Sequence, residues 1–147
     1  MHKQPGEGEE VRRLFFEHVP EVSEGSVEIK GIARQSGYCT IVAVHSRTST
    51  VDAVGACVGQ RGVHIKTIVR HLAGEKIDVV LWSDSLEHFL KNLFAPATVE
   101  GIVFNDAAHS ATLFTNFDDK ALVMGPDGCR LKLVSRLVGW ELRAETG

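Results

Sequence analysis

The chain has little cysteine, little proline and no block of one charge. Its three thiols, Cys39, Cys57 and Cys129, are odd in number, widely spaced and form no CxxC pair. That excludes a disulfide scaffold and argues against a zinc site, so no metal and no cofactor are expected. No apolar run approaches the ~18 residues needed to span a bilayer, and MHKQPGEGEE holds no apolar stretch that could serve as a secretory signal. The expectation is a cytoplasmic protein with no membrane partner. Lys and Arg number 16 against 19 Asp and Glu, a net charge of -3. This excludes a strongly basic nucleic-acid binder but not a local basic face. What is present is ordinary for a globular chain, with 44% hydrophobic and 24% charged residues over 147 positions. Such a length holds one medium domain or two very small ones.

Patterning favours two. Residues 1–9 are polar and read as a disordered arm. Val11, Leu14 and Phe15 follow helical spacing, and Pro20 is expected to stop that helix. Val27 to Ile32 alternates as a half-buried strand, and Thr40 to Val44 is a β-branched second strand. Asp52 can cap a short helix into Val58, interrupted by Gly59-Gln60-Arg61-Gly62. Ile65, Ile68, Val69 and Leu72 then mark an amphipathic helix closed by Gly74. Ile77, Val79 and Leu81 form a third strand. Asp84 with Glu87 reads as a capping box for the stripe Leu86, Phe89, Leu90, Leu93 and Phe94, which Pro96 ends. Strands are expected over Thr98–Phe104 and Ala111–Phe117. A short helix capped by Asp118 or Asp119 follows, and Gly125-Pro126-Asp127-Gly128 breaks it. A further helix runs to Val138, and a last strand covers Trp140–Glu145.

The same order thus occurs twice. An offset of 66 residues places Gly59 on Gly125, Gly62 on Gly128, Ile65 on Leu131, Lys66 on Lys132, Ile68 on Val134 and Arg70 on Arg136. This is an internal duplication of an α+β unit, with domains at 10–83 and 84–147.

GxxG between helices permits a sharp turn and leaves two positions without a side chain, so a phosphodiester can approach the backbone. The following helix offers its N-H groups and the positive end of its dipole. Alone the motif is weak, since four-residue matches arise by chance and a plain helix-turn-helix link fits as well. Its context strengthens the first copy, where Arg61 supplies a cation. The second copy has none, and Pro-Asp-Gly also makes a good ordinary turn, so both readings stay open there. Lys66, Arg70, Lys132 and Arg136 form either a solvated face or a basic track. Val54 to Val58 could floor a base-binding groove or face the core. Cys57, Trp82 and Trp140 read as core residues.

At this point the chain resembles the tandem KH domains of the NusA family of bacterial transcription factors. The resemblance runs from about Val11 to Arg143. Its most specific part is Val51-Asp52-Ala53-Val54-Gly55-Ala56-Cys57-Val58-Gly59-Gln60-Arg61-Gly62, similar to the family's VDPVGACVGxRG. Val19-Pro20-Glu21-Val22, Gly25-Ser26-Val27-Glu28-Ile29, Ala33-Arg34, Gly74-Glu75-Lys76-Ile77-Asp78-Val79-Val80, Trp82-Ser83 and Pro96-Ala97 fit as well. The resemblance implies two type II KH domains, each a three-stranded sheet packed by helices. It implies single-stranded RNA across both GxxG motifs. It also implies association with RNA polymerase and other elongation factors in pausing, termination and antitermination. The RNA contacts it implies are Gly59, Gln60, Arg61, Gly62, His64, Lys66 and Arg70 in the first copy, and Gly125, Pro126, Asp127, Gly128, Arg130 and Lys132 in the second.

The family's N-terminal polymerase-binding and barrel-type domains are not seen, so the chain reads as a KH-only protein or a fragment, expected to be monomeric. Pro126 and Asp127 stand where the family has the Lys-Glu of GKEG. Cys39 and Ile41 stand where its first hairpin, GSRTKIAV, carries cations. These losses point toward weaker RNA binding. A protein-interaction module on a KH scaffold is therefore the alternative. An enzyme is not expected, because no nucleophile sits with a base and no nucleotide-binding glycine loop follows a strand.

Overall fold

The computed structural model describes residues 8–147 and divides into two compact units, one ending at Trp82 and the other spanning Ser83–Gly147. Of the arm expected over residues 1–9, residues 1–7 lie outside those described, and Glu9 already belongs to the first helix.

That helix, α1 (Glu9–His18), buries Val11, Leu14 and Phe15 and carries acid in its first turn and a histidine in its last, as its dipole favours. Pro20 does more than stop it. The chain makes one extended step at Val19, and Pro20 opens a second short helix, α2 (Pro20–Ser23), because proline's fixed φ suits a first helical position. Strand β1 (Val27–Gln35) runs three residues further than its alternation indicates and pairs antiparallel with β2 (Cys39–Ser46). A bulge interrupts the ladder between Ile29 and Gly31. Strand β3 (Lys76–Leu81) lies parallel to β2. Parallel neighbours need a long crossover, and α3 (Ala53–Val58), the GxxG loop and α4 (Val63–His71) supply it. The central strand β2 is buried continuously from Thr40 to Val44, which accounts for its continuous apolar run Ile41-Val42-Ala43-Val44.

The second unit repeats this plan with α5 (Leu86–Phe94), β4 (Val99–Asn105), β5 (Ser110–Thr115), α6 (Lys120–Met124), α7 (Cys129–Val138) and β6 (Glu141–Thr146). Its sheet order is again hairpin, then parallel third strand. The capping box expected at Asp84 and Glu87 does not form. Burial of Phe89, Leu90, Leu93 and Phe94 sets the helix phase so that Ser85 is the cap, its hydroxyl accepting from the His88 N-H at 3.3 Å. Asp119 stands at the cap position of α6 but does not cap it. Its carboxylate accepts from the Thr98 N-H at 2.8 Å, and its own N-H donates to the Asn116 side-chain oxygen at 2.7 Å. Phe117, expected in a strand, lies beyond the end of β5 and is 80% exposed.

Neither tryptophan is in a core. Half-buried Trp82 has Lys30 Nζ 4.4 Å from its ring centre and His45 edge-on at 5.2 Å. Half-buried Trp140 stacks on His109 at 4.0 Å and meets Phe104 edge-on at 5.5 Å.

Two buried polar or reactive groups shape the first unit. Glu75 is 3% exposed. Its carboxylate accepts from Arg34 Nε at 3.0 Å, from the Gly37 N-H at 2.8 Å and from the Thr40 hydroxyl. It thereby ties the turn after α4 to the β1–β2 hairpin. Burial pushes this carboxyl up, but the donors from Arg34, Thr40 and Gly37 outweigh it and hold the group below the usual carboxylate range. Cys57, fully buried in α3, has its thiol pushed up to about 12 by burial first and by the Glu21 carboxylate second. Thiolate is the reactive form. Cys57 is therefore expected not to react with Ellman's reagent at mildly alkaline pH until the protein unfolds. A Cys39→Ser/Cys129→Ser variant isolates its signal, and rapid labelling of that folded variant would contradict the assignment.

Candidate nucleic-acid interface

The two glycine loops are the repeated feature with the most unusual backbone. In the first, α3 ends at Gly59 (φ 81°, ψ 165°), Arg61 sits left-handed (φ 56°, ψ 23°), and Gly62 (φ 71°, ψ 21°) leads into α4. In the second, α6 ends at Gly125 (φ 74°, ψ 172°), Asp127 takes φ 55°, ψ 27°, and Gly128 (φ 72°, ψ 14°) leads into α7. In each, the last glycine's N-H donates to the first glycine's carbonyl at 3.0 Å. The second sequence, equally suited to an ordinary turn, thus folds into the same loop as the first. Pro126 is accommodated at the opening of the short 3-10 turn.

The glycines do different jobs. A Cβ on Gly59 would lie 2.8 Å from the His64 ring and 3.0 Å from its backbone nitrogen, and one on Gly125 would lie 2.7 Å from Arg130 Cβ and backbone nitrogen. The first glycine of each loop is needed because the next helix passes against it. The second is not crowded. A Cβ on Gly62 would meet only Lys66 Cε at 3.7 Å, and one on Gly128 only Lys132 Cε and Met124 Cε at 3.9 Å. Those distances also bring Lys66 and Lys132, both exposed, beside the second glycine of their loops.

No side chain caps the N-terminus of α4 or α7. Each loop therefore presents a helix's positive end, an unshielded glycine and a lysine, with exposed Gln60 and Arg61 at the first tip and exposed Pro126 and Asp127 at the second. This arrangement can take an anion such as phosphate.

The remaining predicted contacts divide. His64, half-buried, donates from Nδ1 to the Ala56 carbonyl at 3.0 Å. Arg130 donates from Nε to the Leu93 carbonyl at 3.0 Å and from Nη2 to the same oxygen. Both are among the RNA contacts expected from sequence; in the structure His64 bonds across its glycine loop to α3, and Arg130 bonds to α5. Arg70 is exposed, but eight residues of helix put it about 12 Å beyond Gly62, away from the loop. In α3, Ala53 and Cys57 lie in the core and half-buried Val54 and Ala56 pack against it, while Val58 is half-buried at the end of the helix. Residue type alone gave no sign of these bonds from His64 and Arg130. Their shared offset from the first glycine was the available signal.

Comparison with known proteins agrees with this geometry. Residues 6–82 match the family described as the NusA-like first KH domain. The chain belongs to the NusA-like KH family. It is 37% identical over 135 residues to the transcription termination/antitermination protein NusA of Thermus thermophilus, an overlap of 92% of this chain and 35% of that protein. It is 36% identical over 132 residues to the protein of the same name from Halalkalibacterium halodurans, covering 90% of this chain and 35% of that protein. The chain therefore spans about a third of the length of these NusA relatives. Among solved structures, the crystal structure of APE1850 superposes with a TM-score of 0.69 at 25% identity, over 97% of this chain and all of that one. The α+β architecture of two KH units, each a three-stranded sheet packed by helices, is the one expected from sequence.

Proposed function

We propose that this chain binds single-stranded RNA through its two glycine loops, as a non-catalytic module related to transcription termination/antitermination factors, with RNA polymerase as its working context. The observation that carries this reading is the matched pair of loops, each setting an uncapped helix N-terminus beside an open glycine and a lysine. RNA modules of this kind clamp the backbone and leave the bases splayed into an apolar groove. Here half-buried Val54 and Val58 in the first unit would floor that groove. The names of the NusA relatives supply the transcriptional setting.

The first loop should dominate, because Arg61 is a cation at the tip where the second loop carries Asp127. Fluorescence anisotropy with labelled single-stranded RNA at low and raised salt tests this. Binding is expected to weaken with salt, since lysine and arginine contacts release counterions. Arg61→Ala should weaken it several-fold, while Asp127→Ala should leave it unchanged or strengthen it. A larger loss from Asp127→Ala than from Arg61→Ala would overturn the ranking. Absence of binding by folded protein at low salt would favour the protein-interaction reading, which the acidic second tip motivates.

A further inference from the structure

A cleft of about 290 Å³ opens in the first unit between α1, α2 and β1, with Arg12, Phe16, Val22, Val27, Glu28 and Arg47 among its lining residues. We propose that it docks an extended acidic peptide segment of a protein partner, added as a strand along the open edge of β1. Four observations carry the proposal.

First, β1 is an edge strand, paired only with β2. The Arg47 N-H bonds to the Ser26 carbonyl, and antiparallel ladders alternate. The backbone groups of Val27 and Ile29 therefore face away from β2, and among the described residues no other backbone bond takes them up. Such an edge is a template for another chain. Second, α1 has two working faces. Val11, Leu14 and Phe15 enter the core, while Arg12 and Phe16, four residues apart on another face, are left to the cleft. Phe16 is 57% exposed, a large aromatic with an apolar floor beneath it. Third, the rim is cationic on balance, with Arg12 and Arg47 against the single carboxylate of Glu28. Arg12 has no carboxylate partner among the described residues, and Arg47 pairs only with Glu28 across 3.0 Å at an exposed site. Such a surface pair is weak and yields readily to a carboxylate brought in by a ligand. Fourth, the cleft is not duplicated. Val22 and Gly25 come from the α2 segment, which the second unit lacks, since α5 passes to β4 with no intervening helix. A feature outside the repeat is outside the repeated loop function.

The chemistry asks for main-chain pairing with Val27 and Ile29, one apolar side chain in the cleft against Phe16, and flanking carboxylates on Arg12 and Arg47. The test is an NMR titration of the isotope-labelled chain with a short synthetic peptide alternating Asp or Glu with Leu or Phe. Controls are the same peptide with Lys for its acids and a single-stranded oligouridine. The acidic peptide should shift the amides of Val27, Glu28 and Ile29 and leave those of Gly59–Gly62 in place. Phe16→Ser, or Arg12→Glu with Arg47→Glu, should weaken it roughly tenfold, the size of one lost anchor. These positions are on the surface, so their own spectra report whether the fold persists. The charge-reversed variant should instead favour the lysine peptide. No shift with the acidic peptide, equal binding of the lysine peptide by wild type, or oligouridine moving the same β1 amides would each overturn the proposal. The RNA-binding reading stands or falls separately, on the Gly59–Gly62 amides.

Discussion

Gly62→Asp is expected to remove most RNA binding, about a hundredfold in affinity, while the protein stays folded. The backbone at Gly62 is left-handed (φ 71°), and a Cβ there meets only the end of the Lys66 side chain. Aspartate tolerates that conformation better than most residues, and a carboxylate at a helix N-terminus suits the dipole. The fold therefore loses little. RNA loses a great deal, because the carboxylate occupies the approach to the helix end, can pair with Lys66 and repels phosphate. Like-charge juxtaposition at an interface costs several kcal/mol. Anisotropy with labelled RNA reads the affinity, and circular dichroism with thermal melting reads the fold. Wild-type affinity in a folded Gly62→Asp protein would remove this loop from the interface. Gly59→Ala makes the useful contrast, since its Cβ would fall within 3.0 Å of the next helix, so it should cost stability as well as binding.

The second large effect is structural. Glu75→Ala is expected to lower the unfolding free energy by about 3 kcal/mol, the usual cost of removing one partner from a buried ion pair. Arg34 would lose its buried carboxylate partner, and the Thr40 hydroxyl and Gly37 N-H would lose their acceptor. Chemical denaturation should show a lower midpoint at unchanged slope. Glu10→Ala, with its side chain 45% exposed, should change stability by no more than about 1 kcal/mol. The pH dependence has a definite sign. The Glu75 carboxyl is held below its ordinary value in the folded protein. The stability it contributes is present above the unfolded-state value of about 4.3 and is lost as the pH falls through the folded value. Wild type should therefore lose stability in acid below about pH 4 more steeply than Glu75→Gln. Equal acid limbs would contradict the assignment.

Glu75 also marks where reading the chain stopped. Gly74-Glu75-Lys76 looks like an exposed polar turn, and nothing local shows that Arg34, 41 residues away, comes back to it. Asp84, Asp119 and the two tryptophans carry the same lesson. Their residue types suggested caps and cores, but helix phase and sheet position set their real partners.

Much of the rest was written in one dimension. Apolar spacing marked the elements, because a helix or strand must bury one face whatever its neighbours are. The 66-residue offset revealed the duplication, and glycine at four loop positions revealed both sharp turns, because a residue with a Cβ enters left-handed backbone only at a cost. Distance and exposure required the folded chain. Only there do His64 and Arg130 bond to α3 and α5, and Lys66 and Lys132 become neighbours of the open glycines. Only there does GPDG share the backbone of GQRG, and only there do Arg12, Phe16 and Arg47 meet at one strand edge. These are contacts between residues on different elements, and side-chain type and local spacing carry no record of which elements will pack together.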